Sequence, residues 1–218
     1  MRRKLLEDLD SFLQPSMTAW HKARGIPYRR GYFFHGPPGT GKTSVSMALG
    51  THFHLPIYRF SLGSIEMNDD CLAELFDSIP TRCLLLFEDI DTSGVVNRQA
   101  SPTEGRGGIT LSGLLNLIDG VGAPEGRILI MITNYPGTLD KALVRHGRID
   151  TMCHFPKADK DCAKFLFHSL ISTKEKMEQM TKHFAKAIPN KECSPTKLQS
   201  YLINARGSPQ EALDEVDE

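Results

Sequence analysis

Residues 36–43 read Gly-Pro-Pro-Gly-Thr-Gly-Lys-Thr, set between the apolar run YFFH at 32–35 and the helix-like stretch SVSMALG at 44–50. A GxxxxGK[ST] pattern that follows a strand and opens a helix has a specific physical reading. Gly36, Gly39 and Gly41, with Pro37, Pro38 and Thr40 between them, let the backbone wrap until successive N–H groups converge on phosphate oxygens. The helix beginning near Ser44 adds its positive dipole end, so Ser44 is counted with the nucleotide-binding loop. Lys42 is expected to reach the β- and γ-phosphates, and Thr43 to offer its hydroxyl to Mg²⁺. A chance glycine-rich turn would lack both flanks.

The run CLLLF at 83–87 leads directly into Glu88, Asp89, Ile90 and Asp91. Acids at the end of a buried strand are what a nucleoside triphosphatase needs to hold Mg²⁺ and polarise water. At a solvated strand edge the same acids would be surface charge, a reading that the phosphate-binding motif upstream disfavours. Glu precedes Asp here, whereas most such enzymes place Asp first for the metal and Glu second as base. Asn134 follows the strand-like ILIMIT at 128–133 and either orients water or the γ-phosphate, or simply starts the turn Asn-Tyr-Pro-Gly. Arg145 and Arg148 lie in LVRHGRID at 143–150. They are ordinary surface charge or, in a ring-forming ATPase, arginine fingers for a neighbouring subunit's site.

These residues need a scaffold. Apolar runs recur at 32–34, 57–62, 83–87, 128–133 and 152–155, separated by segments of helical length. Continuous apolar strands alternating with helices predict an α/β domain whose parallel sheet is covered on both faces, over residues 1–155. Leu5, Leu6, Leu9, Phe12 and Leu13 predict an amphipathic helix over 3–13 that Pro15 closes, so 1–28 reads as an N-terminal helix and linker. From residue 156 the β-branched runs stop, and 160–172, 174–187, 195–205 and 209–216 predict a small all-helical lid, with Pro195 and Pro209 in first turns. The polar stretch 92–108 is a loop.

Composition narrows the function. Lys plus Arg and Asp plus Glu each number 26 in 218 residues, so no global field draws the chain to nucleic acid or anionic lipid. The five cysteines are scattered and show no CxxC pair, which argues against a disulfide framework or structural zinc. No apolar run approaches the ~20 residues of a membrane span. His35, Cys83, Cys153, Met177 and Met180 are expected to pack rather than to bind.

Taken in order, GPPGTGKT, the EDID strand end, the ITN strand end and LDKALVRHGRID resemble the AAA ATPase family of ring-forming P-loop remodellers. RGIPYRRGYFFHGPPGTGKTS, LLFEDID, LSGLLNLIDGV and SPTKLQSYLINARGSPQEAL are similar to one subfamily, the mitochondrial chaperones that assemble respiratory complex III by moving the folded Rieske protein. The resemblance spans about Leu5 to Val216. It implies a P-loop fold with a five-stranded parallel sheet and helical lid, ATP as substrate with Mg²⁺, a homo-oligomeric ring and a protein substrate. It also implies a mitochondrial location; otherwise a soluble intracellular one is expected. By the same resemblance Thr43 and Glu88 serve Mg²⁺, Asp89 is the base, Asn134 the first sensor, and Arg145 and Arg148 act in trans. The backbone near Ile26, Pro27 and Tyr28 would cover adenine. Members of the subfamily carry an N-terminal transmembrane helix and a specific domain ahead of the ATPase module, which are not expected in this chain. At 61–70, SLGSIEMNDD lacks the aromatic-Gly pair with which many AAA rings grip unfolded chains, so threading is not expected.

Two functions from different classes follow: an ATPase doing conformational work on a protein, or a truncated ATP-binding scaffold or regulatory module without useful hydrolysis. A small-molecule kinase or GTPase is disfavoured, since no NKxD-like guanine reader follows the strands.

Overall fold

The computed structural model of the chain describes residues 2–61, 68–90, 109–120, 122–171, 178–205 and 211–214. Most of 61–70, all of 92–108, Met177 and Pro209 lie outside the described residues. Two units make up the chain: residues 1–35 with 43–154, and residues 36–42 with 155–218.

The first unit is built on five strands, β1 (Arg30–His35), β2 (Ile57–Ser61), β3 (Leu84–Glu88), β4 (Ile128–Thr133) and β5 (Thr151–His154). They run in the order β2-β3-β4-β1-β5, and every pair is parallel. All six residues of β4 are buried, as are Leu84 to Phe87 of β3. A strand can be apolar at consecutive positions only when both sheet faces are covered, which is why these runs are continuous rather than alternating. Met131 stands opposite both Phe33 and Phe87, so β1, β4 and β3 end along one edge.

Helices supply the cover. The first unit also contains α1 (Arg2–Phe12), α2 (Pro15–Ala23), α3 (Lys42–His52, from Thr43 onward), α4 (Asp69–Ser78) and α5 (Leu111–Asp119). Leu72 and Phe76 of α4 and Leu114 and Ile118 of α5 join Phe33, Phe60, Phe87 and Met131 in one core. Asn68 caps α4 by accepting from the Cys71 N–H, and Thr110 caps α5 by accepting from the Gly113 N–H. Asp69 then accepts from the Thr110 N–H at 2.7 Å and its hydroxyl at 2.6 Å, tying the two helix starts together.

Leu5, Leu9 and Phe12 are the buried stripe of α1. Its Asp8 accepts from Arg30 Nε at 3.0 Å and from the Tyr32 hydroxyl at 2.5 Å, which fastens the helix to β1. Burial, then the Asp8 hydrogen bond and charge, push the Tyr32 phenol well above its ordinary value, so it stays a donor. Pro15 does not merely close α1: it occupies the first turn of α2.

In the second unit α6 (Lys160–Leu170), α7 (Glu178–Ala187), α8 (Pro195–Asn204) and α9 (Glu211–Asp214) surround Phe167, Phe184, Leu198, Leu202 and Leu213. The Phe167 and Phe184 rings lie 5.0 Å apart. Asp159 caps α6, and Ser194 caps α8 with Pro195 in its first turn. Among the described residues no helix is long and apolar enough to cross a membrane.

Candidate nucleotide and metal site

In the first unit, α3 brings Thr43 to the end of β3, where its hydroxyl donates to Glu88 Oε1 at 2.5 Å. The other carboxylate oxygen of Glu88 takes Arg59 Nε at 2.9 Å. Two hard oxygen donors, a hydroxyl and a carboxylate, thus stand side by side. Such a pair fits Mg²⁺, which takes one or two protein oxygens and fills its octahedron with phosphate and water. Among the described residues no group of three or more His, Cys, Asp or Glu side chains forms a denser metal site.

Asp89 is exposed and has φ of 48°, a left-handed conformation that Asp tolerates better than most residues. The chain turns sharply as β3 ends, and the following Ile90 is buried. Asn134 is half-buried just past β4, where Thr133 Oγ1 accepts the Tyr135 N–H at 3.0 Å. A short 3-10 turn over Pro136–Thr138 follows, so Asn134 both ends a strand and opens a turn.

Residues 36–42 form their own structure in the second unit. Gly36, Gly39 and Gly41 have φ of 144°, 72° and 90°. A Cβ on Gly36 would lie 2.1 Å from the Phe155 carbonyl oxygen, so that position is closed to other residues by space as well as by φ. Lys42 is buried and donates through Nζ to the Gly36 and Pro37 carbonyls at 2.7 and 2.9 Å. Thr40 donates to the Pro37 carbonyl at 2.8 Å. Pro38 needs no partner for a missing N–H, and Ser44 is exposed in the first turn of α3. Thr196, at the start of α8, donates its N–H and hydroxyl to the Gly39 carbonyl at 3.1 and 2.9 Å.

Arg145 and Arg148 come together on Asp119, the last residue of α5. Arg148 donates Nε to Oδ2 at 2.8 Å and Nη2 to Oδ1 at 2.9 Å, while Arg145 donates Nη2 to Oδ2 at 3.2 Å. Arg148 also donates Nη1 to the Ala142 carbonyl. The Arg148 side chain is 5% exposed and that of Arg145 61% exposed, so only Arg145 presents itself at the surface of its own unit. Burial pushes the Asp119 carboxyl up, but the hydrogen bonds and charges of the two arginines outweigh it and hold it below the usual carboxylate range. A carboxyl lowered by folding contributes stability that is present above its unfolded pKa and lost as pH falls through the folded one. Below about pH 4, stability should therefore fall faster with acid in the native chain than in Asp119→Asn, by up to roughly 1.4 kcal/mol per pH unit. Denaturant melts of the two proteins across the acid range check this; parallel curves would remove Asp119 from the acid response.

Sequence reading did not single out Asp119, Arg59 or Thr196. Asp119 lies in the LSGLLNLIDGV run, but its partner is 29 residues away and no local pattern links them. His35 packs against the rings of Phe33 and His154 at 5.5 and 5.1 Å, and Cys83 and Cys153 are core residues. Burial lifts the Cys83 thiol to about 11, outweighing the opposing charge of Arg127. Met180 packs on the lid core. Tyr28 is stacked on Phe12 at 4.5 Å and donates to its carbonyl, beside exposed Ile26, while the Pro27 carbonyl lies 3.2 Å from His21 Nδ1.

A five-stranded parallel sheet in this order, with the phosphate-binding motif following β1, defines a P-loop α/β protein. The chain belongs to the AAA ATPase family. The profile of the ATPase family associated with various cellular activities (AAA) matches residues 32–157, and that of the mitochondrial chaperone BCS1-like ATPase lid domain matches residues 155–218. The chain is 36% identical to the probable mitochondrial chaperone BCS1-A of Dictyostelium discoideum, over 99% of this chain and 52% of that protein. It is 32% identical to mitochondrial chaperone BCS1 of Homo sapiens over 98% of this chain and 52% of that protein. With mitochondrial chaperone BCS1 of Danio rerio it shares 42% identity over 67% of this chain and 36% of the relative. It thus spans about half the length of the first two relatives.

Proposed function

We propose that this chain is the Mg²⁺-dependent ATP-hydrolysing module of a mitochondrial chaperone or translocase, acting as a homo-oligomeric ring on a protein substrate. The observation that carries the reading is the Thr43–Glu88 pair at 2.5 Å with Asp89 turned out beside it. Thr43 and Glu88 hold Mg²⁺, which neutralises phosphate charge when bound. Gly36 to Ser44 cradle the phosphates, through the backbone N–H groups of every residue but Pro37 and Pro38, and Lys42 exchanges its loop carbonyls for the β- and γ-oxygens. Asp89 accepts a proton from the attacking water and orients it, while Asn134 contacts water or the γ-phosphate. Arg145, and Arg148 once it is released from Asp119, complete a neighbouring subunit's site, stabilising charge on the transferring phosphoryl. The backbone near Ile26, Pro27 and Tyr28 covers the adenine. Residues 1–155 are the catalytic core and 156–218 the lid. The mitochondrial setting rests on the names of the relatives.

The test is steady-state ATP hydrolysis with Mg²⁺ over a wide range of protein concentration. A specific activity that climbs steeply and then levels off is expected if sites are completed between subunits. ATP binding without turnover at every concentration would instead support a nucleotide-binding scaffold or regulatory module, the reading that the Asp119 hold on Arg148 favours.

A further inference from the structure

At the opposite edge of the sheet from Glu88 and Asp89, a pocket of about 30 Å³ opens among the starts of β1, β3 and β4 and the end of α5. Its walls are largely apolar, including Phe76, Leu85, Ile118 and Leu129, yet four arginines line it: Arg29, Arg30, Arg127 and Arg148. Two of these are neutralised elsewhere. Arg30 pairs with Asp8, and Arg148 with Asp119. Arg29 donates to the Ile118 carbonyl at 3.1 Å, and among the described residues it forms no ion pair.

Arg127 is the unusual member. It is only 5% exposed, and its Nη2 donates to the Phe76 and Ile79 carbonyls at 2.7 and 2.5 Å, fixing the guanidinium at the end of α4. Its Nε and Nη1 have no hydrogen-bond partner among the described residues. The groups facing it are the ring of Phe76, the Cys83 thiol and, at longer range, Asp77. Capping α4 uses one nitrogen; it does not explain why a permanent cation is buried with two nitrogens, carrying three N–H donors, left over. Burial disfavours its charge, so an anion within reach would relieve both deficits.

We infer that this pocket binds a small aliphatic monocarboxylate, its oxygens taken by Arg127 and Arg29 and its short chain lying on the apolar wall. The volume is room for about two water molecules, so it admits a carboxylate head and excludes a nucleotide. The apolar walls favour a singly charged carboxylate over a doubly charged, strongly hydrated phosphate. The same head could belong to a free short acid or to a longer fatty acid, and chain length separates these sources. The site takes no ligand-binding group from the phosphate loop or the β3 end; Arg148, assigned above to a neighbouring subunit's site, lines it but is held by Asp119.

The experiment follows the arginine Nε–H signals of the ¹⁵N-labelled full chain by NMR during titration with butyrate at constant ionic strength. Saturable movement of the Arg127 signal is expected, with a dissociation constant of roughly 1–10 mM. Neutral butyramide and chloride should leave that signal unmoved. Octanoate binding more tightly than butyrate would identify the fatty-acid source, and equal or weaker binding the free short acid; both support the site. Arg29→Gln, which leaves the buried guanidinium intact, should weaken butyrate about tenfold. No saturable shift with butyrate would mean that the pocket holds only water, and an equal response to butyramide would mean that charge plays no part. Inorganic phosphate binding as tightly as butyrate would overturn the carboxylate class, and unchanged affinity in Arg29→Gln would overturn the two-arginine assignment.

Discussion

Replacing Asp89 by Asn should lower the ATP turnover number by about a thousandfold while leaving ATP affinity nearly unchanged. The substitution is informative because of the backbone. Asp89 has φ of 48°, and Asn is the residue that shares its tolerance of that conformation, so the β3 turn survives and only the proton-accepting oxygen is lost. Alanine would confound loss of the base with backbone strain. Phosphate release and binding of a fluorescent ATP analogue give the two readouts. Glu88→Gln is the companion, because the order Glu-Asp reverses the one usual in P-loop enzymes. If Glu88 serves the metal, its variant should need more Mg²⁺ and recover part of its rate as Mg²⁺ is raised. Normal turnover in Asp89→Asn, with an irreparable loss in Glu88→Gln, would make Glu88 the base and leave Asp89 to the metal.

The largest stability effect is expected at Gly31, in β1. A Cβ built there lies 1.7 Å from the carbonyl oxygen of Arg148 and 2.8 Å from its carbonyl carbon. Both are backbone atoms leading into β5, so no side chain can swing aside. The segments are also bonded in both directions: the Gly31 N–H donates to Asp150 Oδ2, and the Asp150 N–H to the Gly31 carbonyl, each at 2.8 Å. A methyl group must therefore push β5 off β1, and Gly31→Ala should cost about 4 kcal/mol. Gly137→Ala serves as the control, since nothing lies within 4 Å of its added Cβ. Thermal melts of the two variants should differ widely. A Gly31→Ala protein melting with the control would show that β5 yields easily.

The central strands were legible because they are buried on both faces and so read as unbroken apolar runs. The lid helices were legible from their turn-spaced apolar residues and from Pro195, although α6 ends at Leu170, and residues 174–177 of the next expected helix lie outside the described residues. α2 was not legible. None of its residues is buried, so it carries no apolar period, and Pro15 reads equally well as a stop and as a first-turn residue. In the site, the phosphate loop and the paired acids have fixed local spacing and could be found. The Asp8–Arg30 and Asp119–Arg148 pairs could not, since each is made only when distant segments meet. Spacing also hid the anchoring of Gly39 by Thr196, which spans 157 positions.

That last bond has a mechanical meaning. The Gly39 carbonyl takes both donors of Thr196, the second residue of α8, and Gly36 is pressed against Phe155. The loop and the helical bundle are thus coupled as a trigger is to its lever. Any ligand that draws on the loop draws on the first turn of α8 at once, with no relay of side chains between them. Sensing and leverage need not be joined by a long pathway when one carbonyl oxygen belongs to both.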